Sequence, residues 1–435
     1  MDRFKIEGGR RLEGTVRISG AKNAALPTMA AALLTSESVR LQNIPHVRDI
    51  ITMAKLLAHM RCRVESPDIP PSEFTIQAEN VSHAEAPYEL VKTMRASVLV
   101  LGPLLARAGQ VRVSLPGGCA IGVRPIDLHL AAFQKMGAEV AIEHGYVEAR
   151  ASRLAGAEIA FPTVTVTGTE NALLAATLAR GTTRLVNAAR EPEVVDLAVL
   201  LRAMGASIAG EGTETIEIEG VDRLHGASHA VVPDRIEAGT YALAGALTRG
   251  DVRVRACRPE HLGALIERLR AAGVVVETET DALRARAPLR LAAQNVATEP
   301  YPGFPTDLQA QWMALATSLE GVSTITETVF ENRFQHVPEL TRMGARIRVE
   351  GAFAAVEGPA ALSGANVMAS DLRASAALVL AGLAAQGTTV IDRVYHLDRG
   401  YVRMEEKLAE LGGRVVRFSE PTGIHPIPGY VREIG

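Results

Sequence analysis

One pattern recurs six times along the chain and limits what it can fold into. Segments 56–64, 130–140, 200–208, 265–276, 340–347 and 408–416 close in a similar way. Five carry a glycine at the same point (Gly137, Gly205, Gly273, Gly344 and Gly412), while Arg61 fills that slot in the first. The spacing is roughly 70 residues, the signature of a duplicated supersecondary unit. Upstream of each segment, at a comparable offset, stands an arginine: Arg48, Arg124, Arg190, Arg258, Arg333 and Arg399. Six copies in register predict six modules whose helix starts carry a matching set of cations.

Each module reads as helix, strand, loop, helix, strand. In the fourth, 236–247 is an Ala/Leu-rich helix and 251–254 alternates like a strand. Cys257-Arg258-Pro259-Glu260 then opens a second helix, with Pro in a first-turn position where its missing N–H costs nothing. That helix ends at Gly273, a C-cap. The first helix of a module is apolar nearly all round, as at 24–34 and 374–385, so it belongs inside, with sheet outside it. The chain has 435 residues, too long for one ordinary core, so two domains of about 200 residues are expected. Six modules then make two α/β domains of three each, with a cleft between them. We place the division so that 22–232 forms one domain and 1–21 with 233–435 the other. The strand-like opening 4–18 is free to pair with the C-terminal half.

Composition narrows the chemistry. A formal net charge of −3 provides no basic field, so nucleic acid is not expected as a partner, and any anion must be held by local clusters of Arg and Lys. Three cysteines, Cys62, Cys119 and Cys257, make no disulfide framework and fit a reducing, cytoplasmic setting. The N-terminus has no apolar signal core, and the longest apolar runs are about half a membrane span. No metal-ligand spacing, Walker loop or dinucleotide fingerprint is present, so neither metal nor cofactor is expected.

The first helices open on Ser19-Gly20-Ala21-Lys22-Asn23, Thr93-Met94-Arg95, Thr167-Gly168-Thr169-Glu170-Asn171, Asp234-Arg235-Ile236-Glu237, Pro305-Thr306-Asp307 and Ser370-Asp371-Leu372-Arg373. Ser, Thr and Asp at such points usually only cap. A cation there opposes the helix dipole unless an anion is present, so Lys22, Arg95 and Arg373 mark either an anion site or a solvated surface. Arg124, before Pro125-Ile126-Asp127, and Arg399, in His396-Leu397-Asp398-Arg399-Gly400, add fork-shaped donors suited to phosphate and carboxylate. Cys119 lies in the glycine-rich stretch 115–122, too irregular for helix or strand, where a thiol beside Arg124 would act as acid or nucleophile. Cys62 and Cys257 read as small buried hydrophobes. Asp307 is the general-base candidate, its pKa lowered by the helix start, so that it depends on a close, oriented substrate. His129, His336 and His396 read as packed or capping.

These phrases together resemble the enolpyruvyltransferases over essentially the whole chain, and within them the members that act on a nucleotide sugar. The motifs are S-G-A-K-N (19–23), T-M-R-A-S (93–97), P-G-G-C-A-I-G-x-R-P-I-D-L-H (116–129), A-A-R-E-P-E-V-V-D (188–196), P-D-R-I-E-A-G-T (233–240), F-P-T-D-L-Q-A-Q (304–311), E-N-R-F-x-H-V-P-E-L (331–340), D-L-R-A-S (371–375) and D-R-G-Y (398–401). The resemblance implies an inside-out α/β barrel architecture in two domains of threefold internal symmetry, with a substrate cleft between them and the N-terminal strand recruited by the C-terminal domain. It implies transfer of the enolpyruvyl group of phosphoenolpyruvate to the 3′-hydroxyl of UDP-N-acetylglucosamine, a step of peptidoglycan precursor synthesis. Carried over by position, the nucleotide sugar would contact Asn23, Arg95, Arg124, Pro125, Ile126, Asp127, Leu128, Thr163, Val164, Thr165, Val166, Asp307 and Val329. Lys22, Arg124 and Arg399 would hold the phosphate, and Arg333 and Arg373 the carboxylate, with Asp371 in the same set. Cys119 resembles the family's general acid, able to form a covalent adduct, and Asp307 its base. Arg48-Asp49 stands where a lysine–acid pair is common, so the part played by Arg48 is open. A shikimate-type transferase shares the fold but lacks the P-G-G-C loop. A silent nucleotide-sugar binder and a thiol sensor built on Cys119 remain as non-enzymatic readings.

Overall fold

The structure, a computed structural model, describes residues 2–81, 85–92, 94–115 and 126–419. The repeated glycines explain where the outer helices stop. Gly137, Gly205, Gly273, Gly344 and Gly412 have φ of 89°, 100°, 101°, 99° and 87°. Left-handed backbone costs other residues about 1–2 kcal/mol, so glycine ends five of the six helices. Arg61 adopts φ 64° in the same slot of the first module.

Each module contributes a four-stranded sheet, six in all among the described residues. In the second, Glu85–Ala86 lies parallel to Gln110–Ser114, which pairs antiparallel with Tyr146–Arg150, itself paired with Glu139–Glu143. The sequence reading found one strand after each outer helix; in five modules there are two, joined as a hairpin, and in the sixth Asp2–Glu7 takes the place of the second, with a parallel strand on the far edge of every sheet. At two or three residues, strands such as Val296–Ala297 and Arg63–Glu65 are too short to show alternation. The third inner helix also starts earlier than expected. It runs Val166–Ala176, and the Thr165 side chain caps it by accepting the Gly168 N–H at 3.2 Å. In the fourth module the Pro259 turn is a 3-10 helix, Pro259–Leu262, that leads into Gly263–Ala271.

The inner helices are buried on every side, as their sequences demand. All residues of Gln309–Ala316 are buried, as are 236–247 of Arg235–Leu247 and 372–383 of Leu372–Ala384. Their few hydroxyls turn back to the helix backbone: Thr28 Oγ1 donates to the Ala24 carbonyl at 3.0 Å and Thr240 Oγ1 to that of Ile236 at 2.8 Å. Asn171 joins two inner helices, accepting the Gly102 N–H at 2.7 Å and donating to the Val98 carbonyl at 2.8 Å.

Apolar burial forms two clusters. One draws on residues 21–232, the other on 4–18 together with 236–415. The N-terminal segment completes the second. Asp2–Glu7 sits antiparallel between Thr388–Asp392 and Arg414–Ser419, and Glu13–Arg17 runs parallel to Asp251–Arg255. The first cluster's sheet closes on itself, its Ser38–Gln42 strand receiving Ser228–Ala230. The two lobes meet at polar contacts. Arg235 makes a two-pronged ion pair with Glu193 (2.9 and 3.2 Å), the Tyr301 N–H donates to Glu191 at 3.2 Å, and Arg48 lies 5.9 Å from the centre of the Tyr395 ring. Arg48 thus lies over an aromatic ring of the other lobe.

Candidate active site

Two carboxylates organise the cations that the sequence singled out. Asp49 stands in the first turn of the Arg48–His59 helix, where the dipole favours an anion, and is 3% exposed. Lys22 Nζ lies 3.1 Å from its Oδ2. Arg399, from the other lobe, donates through Nε to Oδ1 at 3.0 Å and through Nη2 to Oδ2 at 3.3 Å. Burial pushes the Asp49 carboxyl up, but the charges of Lys22 and Arg399 outweigh it and hold it below the usual carboxylate range. One buried anion therefore clamps a lysine and an arginine that belong to different lobes.

Asp307 organises the second centre. It lies in the Thr306–Leu308 turn that leads into Gln309–Ala316. Its Oδ1 accepts Arg333 Nη2 at 2.7 Å and its Oδ2 accepts Arg373 Nη2 at 2.8 Å. Burial opposes ionisation of Asp307, yet Arg373, Arg333 and the nearby charge of Lys22 hold its pKa far below the ordinary value. The charge of Lys22 is thus felt at both carboxylates. Arg373 projects from the first turn of Leu372–Ala384, which Asp371 caps by accepting the N–H groups of Arg373 (2.9 Å) and Ala374 (3.0 Å). Beneath it, Tyr401 presents its ring 5.6 Å away, with its hydroxyl 2.9 Å from Thr240 Oγ1 and accepting Gln311 Nε2 at 3.1 Å. Arg333 Nε and Arg373 Nη1 are buried and find no acceptor among the described residues. Such donors are costly to leave unpaired, by about 1–3 kcal/mol each.

Glu327, which the sequence reading passed over, ties Val329 to this centre. Its Oε1 accepts Thr298 Oγ1 (2.9 Å), Thr306 Oγ1 (3.0 Å) and the N–H groups of Val329 (2.9 Å) and Phe330 (3.1 Å). Val329 and the Asp307 turn thus share one anchor. Asp49 entered the sequence reading only within the Arg48-Asp49 pair and Tyr401 only within the D-R-G-Y motif, neither with a role of its own. Nothing local in sequence marks the partner of Asp49, 350 residues away.

Other expected residues occupy separate places. Asn23 is exposed beside Lys22, Ile126 is buried, Asp127 is exposed at the start of Asp127–Lys135, and Leu128 packs on the first core. Thr163 is exposed, whereas Val164 and Val166 are half-buried against that core around the capping Thr165. Among the described residues, these belong to neither ion cluster. Cys119, Arg124 and Pro125 lie outside the described residues. Of the other repeated arginines, Arg190 donates to the Gly212 carbonyl at 3.3 Å and Arg258 precedes the Pro259–Leu262 turn. The repeat therefore marks fold positions, and only Arg333 and Arg399 of those described turn into the clusters. Cys62 and Cys257 are free, buried thiols pushed up by burial to about 11, as small packed hydrophobes would be.

His129 and His336 are packed, as expected. His129 Nδ1 meets Asn171 Nδ2 at 3.0 Å and its Nε2 meets Thr167 Oγ1 at 3.3 Å. Burial and then the charge of Arg95 lower its pKa to about 4. Unfolding returns it to its ordinary value of 6.5, so between these values the unfolded chain binds the extra proton. The stabilisation is complete above pH 6.5 and declines as pH falls toward 4, by up to about 3 kcal/mol. Denaturant titrations between pH 7 and pH 4.5 should show this slope, and His129→Gln should flatten it.

No group of three His, Cys, Asp or Glu is placed to hold a metal, and no helix is long and apolar enough to cross a membrane, among the described residues. Residues 6–408 match the family of EPSP synthase (3-phosphoshikimate 1-carboxyvinyltransferase). The chain is 59% identical over 421 residues to a UDP-N-acetylglucosamine 1-carboxyvinyltransferase of Koribacter versatilis, covering 97% of each chain. It is 58% identical over 420 residues to one of Acidobacterium capsulatum, covering 96% of each. Among solved structures, the enolpyruvyl transferase NikO from Streptomyces tendae superposes with a TM-score of 0.87 at 29% identity, over 97% of this chain and 99% of that one. EPSP synthase from Acinetobacter baumannii superposes at 0.75 with 20% identity, over 96% and 100%, and so shares the two-domain α/β fold.

Proposed function

The chain belongs to the EPSP synthase family of enolpyruvyl (carboxyvinyl) transferases, and from that premise we propose how it works. It transfers the enolpyruvyl group of phosphoenolpyruvate to the 3′-hydroxyl of UDP-N-acetylglucosamine and releases phosphate, the first committed step of peptidoglycan precursor synthesis. Near full-length identity to carboxyvinyltransferases of that nucleotide sugar, together with the P-G-G-C phrase at 116–119, favours this acceptor over shikimate 3-phosphate.

The observation that carries the site assignment is two cation pairs, Lys22 with Arg399 and Arg333 with Arg373, each closed on a carboxylate, with the charge of Lys22 felt at Asp307 as well. Two such pairs suit a small molecule with a phosphate at one end and a carboxylate at the other. The phosphate of phosphoenolpyruvate goes to Lys22 and Arg399, joined by Arg124, and its carboxylate to Arg333 and Arg373, whose Nε and Nη1 donors have no other acceptor among the described residues. Asn23, Arg95, residues 124–128, residues 163–166, Val329 and Asp371 line the nucleotide sugar. The 3′-oxygen then forms a bond to C2 while Asp307 takes its proton and Cys119 supplies one to the methylene carbon. The resulting ketal loses a methyl proton and phosphate, which restores the double bond. Asp307 held down by two guanidiniums is a poor base. A substrate carboxylate on Arg333 and Arg373 shares their charge, and so raises Asp307 toward the basicity the step needs. The fixed cations stabilise charge developing on the phosphate and carboxylate.

The two apolar clusters support a division into 22–232 and 1–21 with 233–435. Free thiols at Cys62 and Cys257 fit a reducing, cytoplasmic setting. The deciding assay is phosphate release from phosphoenolpyruvate. It is expected with UDP-N-acetylglucosamine and absent without it; faster release with shikimate 3-phosphate overturns the acceptor, and no release with either overturns the transferase reading.

A further inference from the structure

The chain crosses between the two cores twice, and the crossings lie side by side. The Ala21 N–H donates to the Val232 carbonyl at 2.7 Å, the Asp234 N–H donates to the Ser19 carbonyl at 2.9 Å, and Gly20 bridges to Pro233. The first crossing is pressed against the neighbouring turn. A Cβ on Gly20 would stand 1.7 Å from the Asn43 carbonyl oxygen, so only glycine fits. Asn43 Nδ2 in turn donates to the Val231 carbonyl at 2.7 Å on the second crossing. Lys22, the first residue of the helix beyond, follows two positions after Gly20. The helix start from which Lys22 reaches Asp49 is therefore tied to how Ser19 and Gly20 are held.

Ser19 is held by a buried ion pair. Glu237, in the first turn of Arg235–Leu247, accepts the Ser19 N–H through Oε2 at 2.8 Å. Its Oε1 accepts Lys407 Nζ at 2.6 Å, and Nζ also donates to Ser19 Oγ at 2.9 Å. The Glu237 and Lys407 side chains are 2% and 15% exposed. Three charge-assisted bonds thus close a ring through backbone and side chain of one serine. Buried ion pairs are weak stabilisers, because desolvation offsets the attraction, but they are strict about direction. The pair also spans the relevant segments. Lys407 lies on Met404–Glu410, just beyond the Val394–Arg399 turn that delivers Arg399 to Asp49.

We propose that Glu237 and Lys407 are positioning residues for phosphate capture: through Ser19 they aim Lys22 at the same anion that Arg399 approaches. The inference deepens the transferase reading and rests on it. It separates two effects that a merely structural pair would move together, the affinity for phosphoenolpyruvate and the stability of the fold.

The test compares full-length parent, Ser19→Ala, Lys407→Arg and the charge-neutral double variant Lys407→Met/Glu237→Gln by phosphate release and thermal unfolding. In the double variant kcat/KM for phosphoenolpyruvate should fall at least about tenfold, since small misplacement of a catalytic group is costly, while KM for UDP-N-acetylglucosamine stays within about twofold. Lys407→Arg should recover most of the loss. Ser19→Ala, which leaves the ion pair intact, should raise KM for phosphoenolpyruvate about two- to fivefold with an unchanged melting temperature, and it decides the matter if the double variant does not fold. Parent-like kcat and KM for phosphoenolpyruvate in the double variant, or in Ser19→Ala if the double variant does not fold, overturn the inference. A parent that releases no phosphate overturns the transferase reading instead.

Discussion

Asp307→Asn is expected to lower kcat about a thousandfold, the middle of the range for removing a general base. The amide keeps the shape of the side chain but offers one oxygen where the carboxylate offers two, so Arg333 and Arg373 cannot both be matched. Their side chains are only 3% and 6% exposed, and losing the shared anion costs about 3 kcal/mol of stability. The same loss frees two guanidiniums for the substrate carboxylate. KM for phosphoenolpyruvate should therefore stay level or fall, although turnover collapses. A purely structural Asp307 would raise KM and lower kcat together, and a variant with parent-like kcat would remove it as the base. Initial-rate phosphate release at varied phosphoenolpyruvate distinguishes these outcomes.

Asp49→Asn should act on the other pair with a different signature. The carboxylate is a contact that Lys22 and Arg399 share, and it joins two lobes. Without its charge the two cations repel across the gap, and the lobes lose a buried clamp of about 3 kcal/mol. The expected result is a drop in kcat/KM for phosphoenolpyruvate of about a hundredfold, the equivalent of that energy, with nucleotide-sugar binding little changed. Raising the salt concentration should narrow the deficit, since screening weakens the repulsion that the substitution exposes. A loss confined to UDP-N-acetylglucosamine affinity would contradict this role.

Much of the frame was legible before any coordinates. Helix-terminating glycines at a regular period gave six modules because a left-handed residue is almost obligatory there. Helices without a polar face had to lie inside, and the Asp2–Glu7 and Glu13–Arg17 strands do complete sheets of the C-terminal half. The cations of the two ion clusters were legible: Lys22 and Arg373 because a positive group at a helix start wants an anion, Arg399 for its fork-shaped donors, and Arg333 through the repeat and the resemblance. Of the anions that satisfy them, Asp307 was singled out as a base, while the part of Asp49 was hidden. Asp49 and Glu327 sit where acids commonly cap, and Glu237 follows a cap, so only the fold shows that they reach Arg399, the Val329 turn and Lys407. The repeated arginines stand at outer-helix starts but do not share one role, since Arg48 lies over Tyr395 and Arg190 donates to a carbonyl oxygen.

The most direct measurement is a crystal structure of the Asp307→Asn variant, slow enough to trap both substrates, with UDP-N-acetylglucosamine and phosphoenolpyruvate. The phosphate should lie between Lys22 and Arg399, the carboxylate on Arg333 and Arg373, and the sugar 3′-oxygen about 3 Å from the side chain at position 307. Phosphoenolpyruvate bound away from both cation pairs, or a 3′-hydroxyl facing elsewhere, would contradict the account.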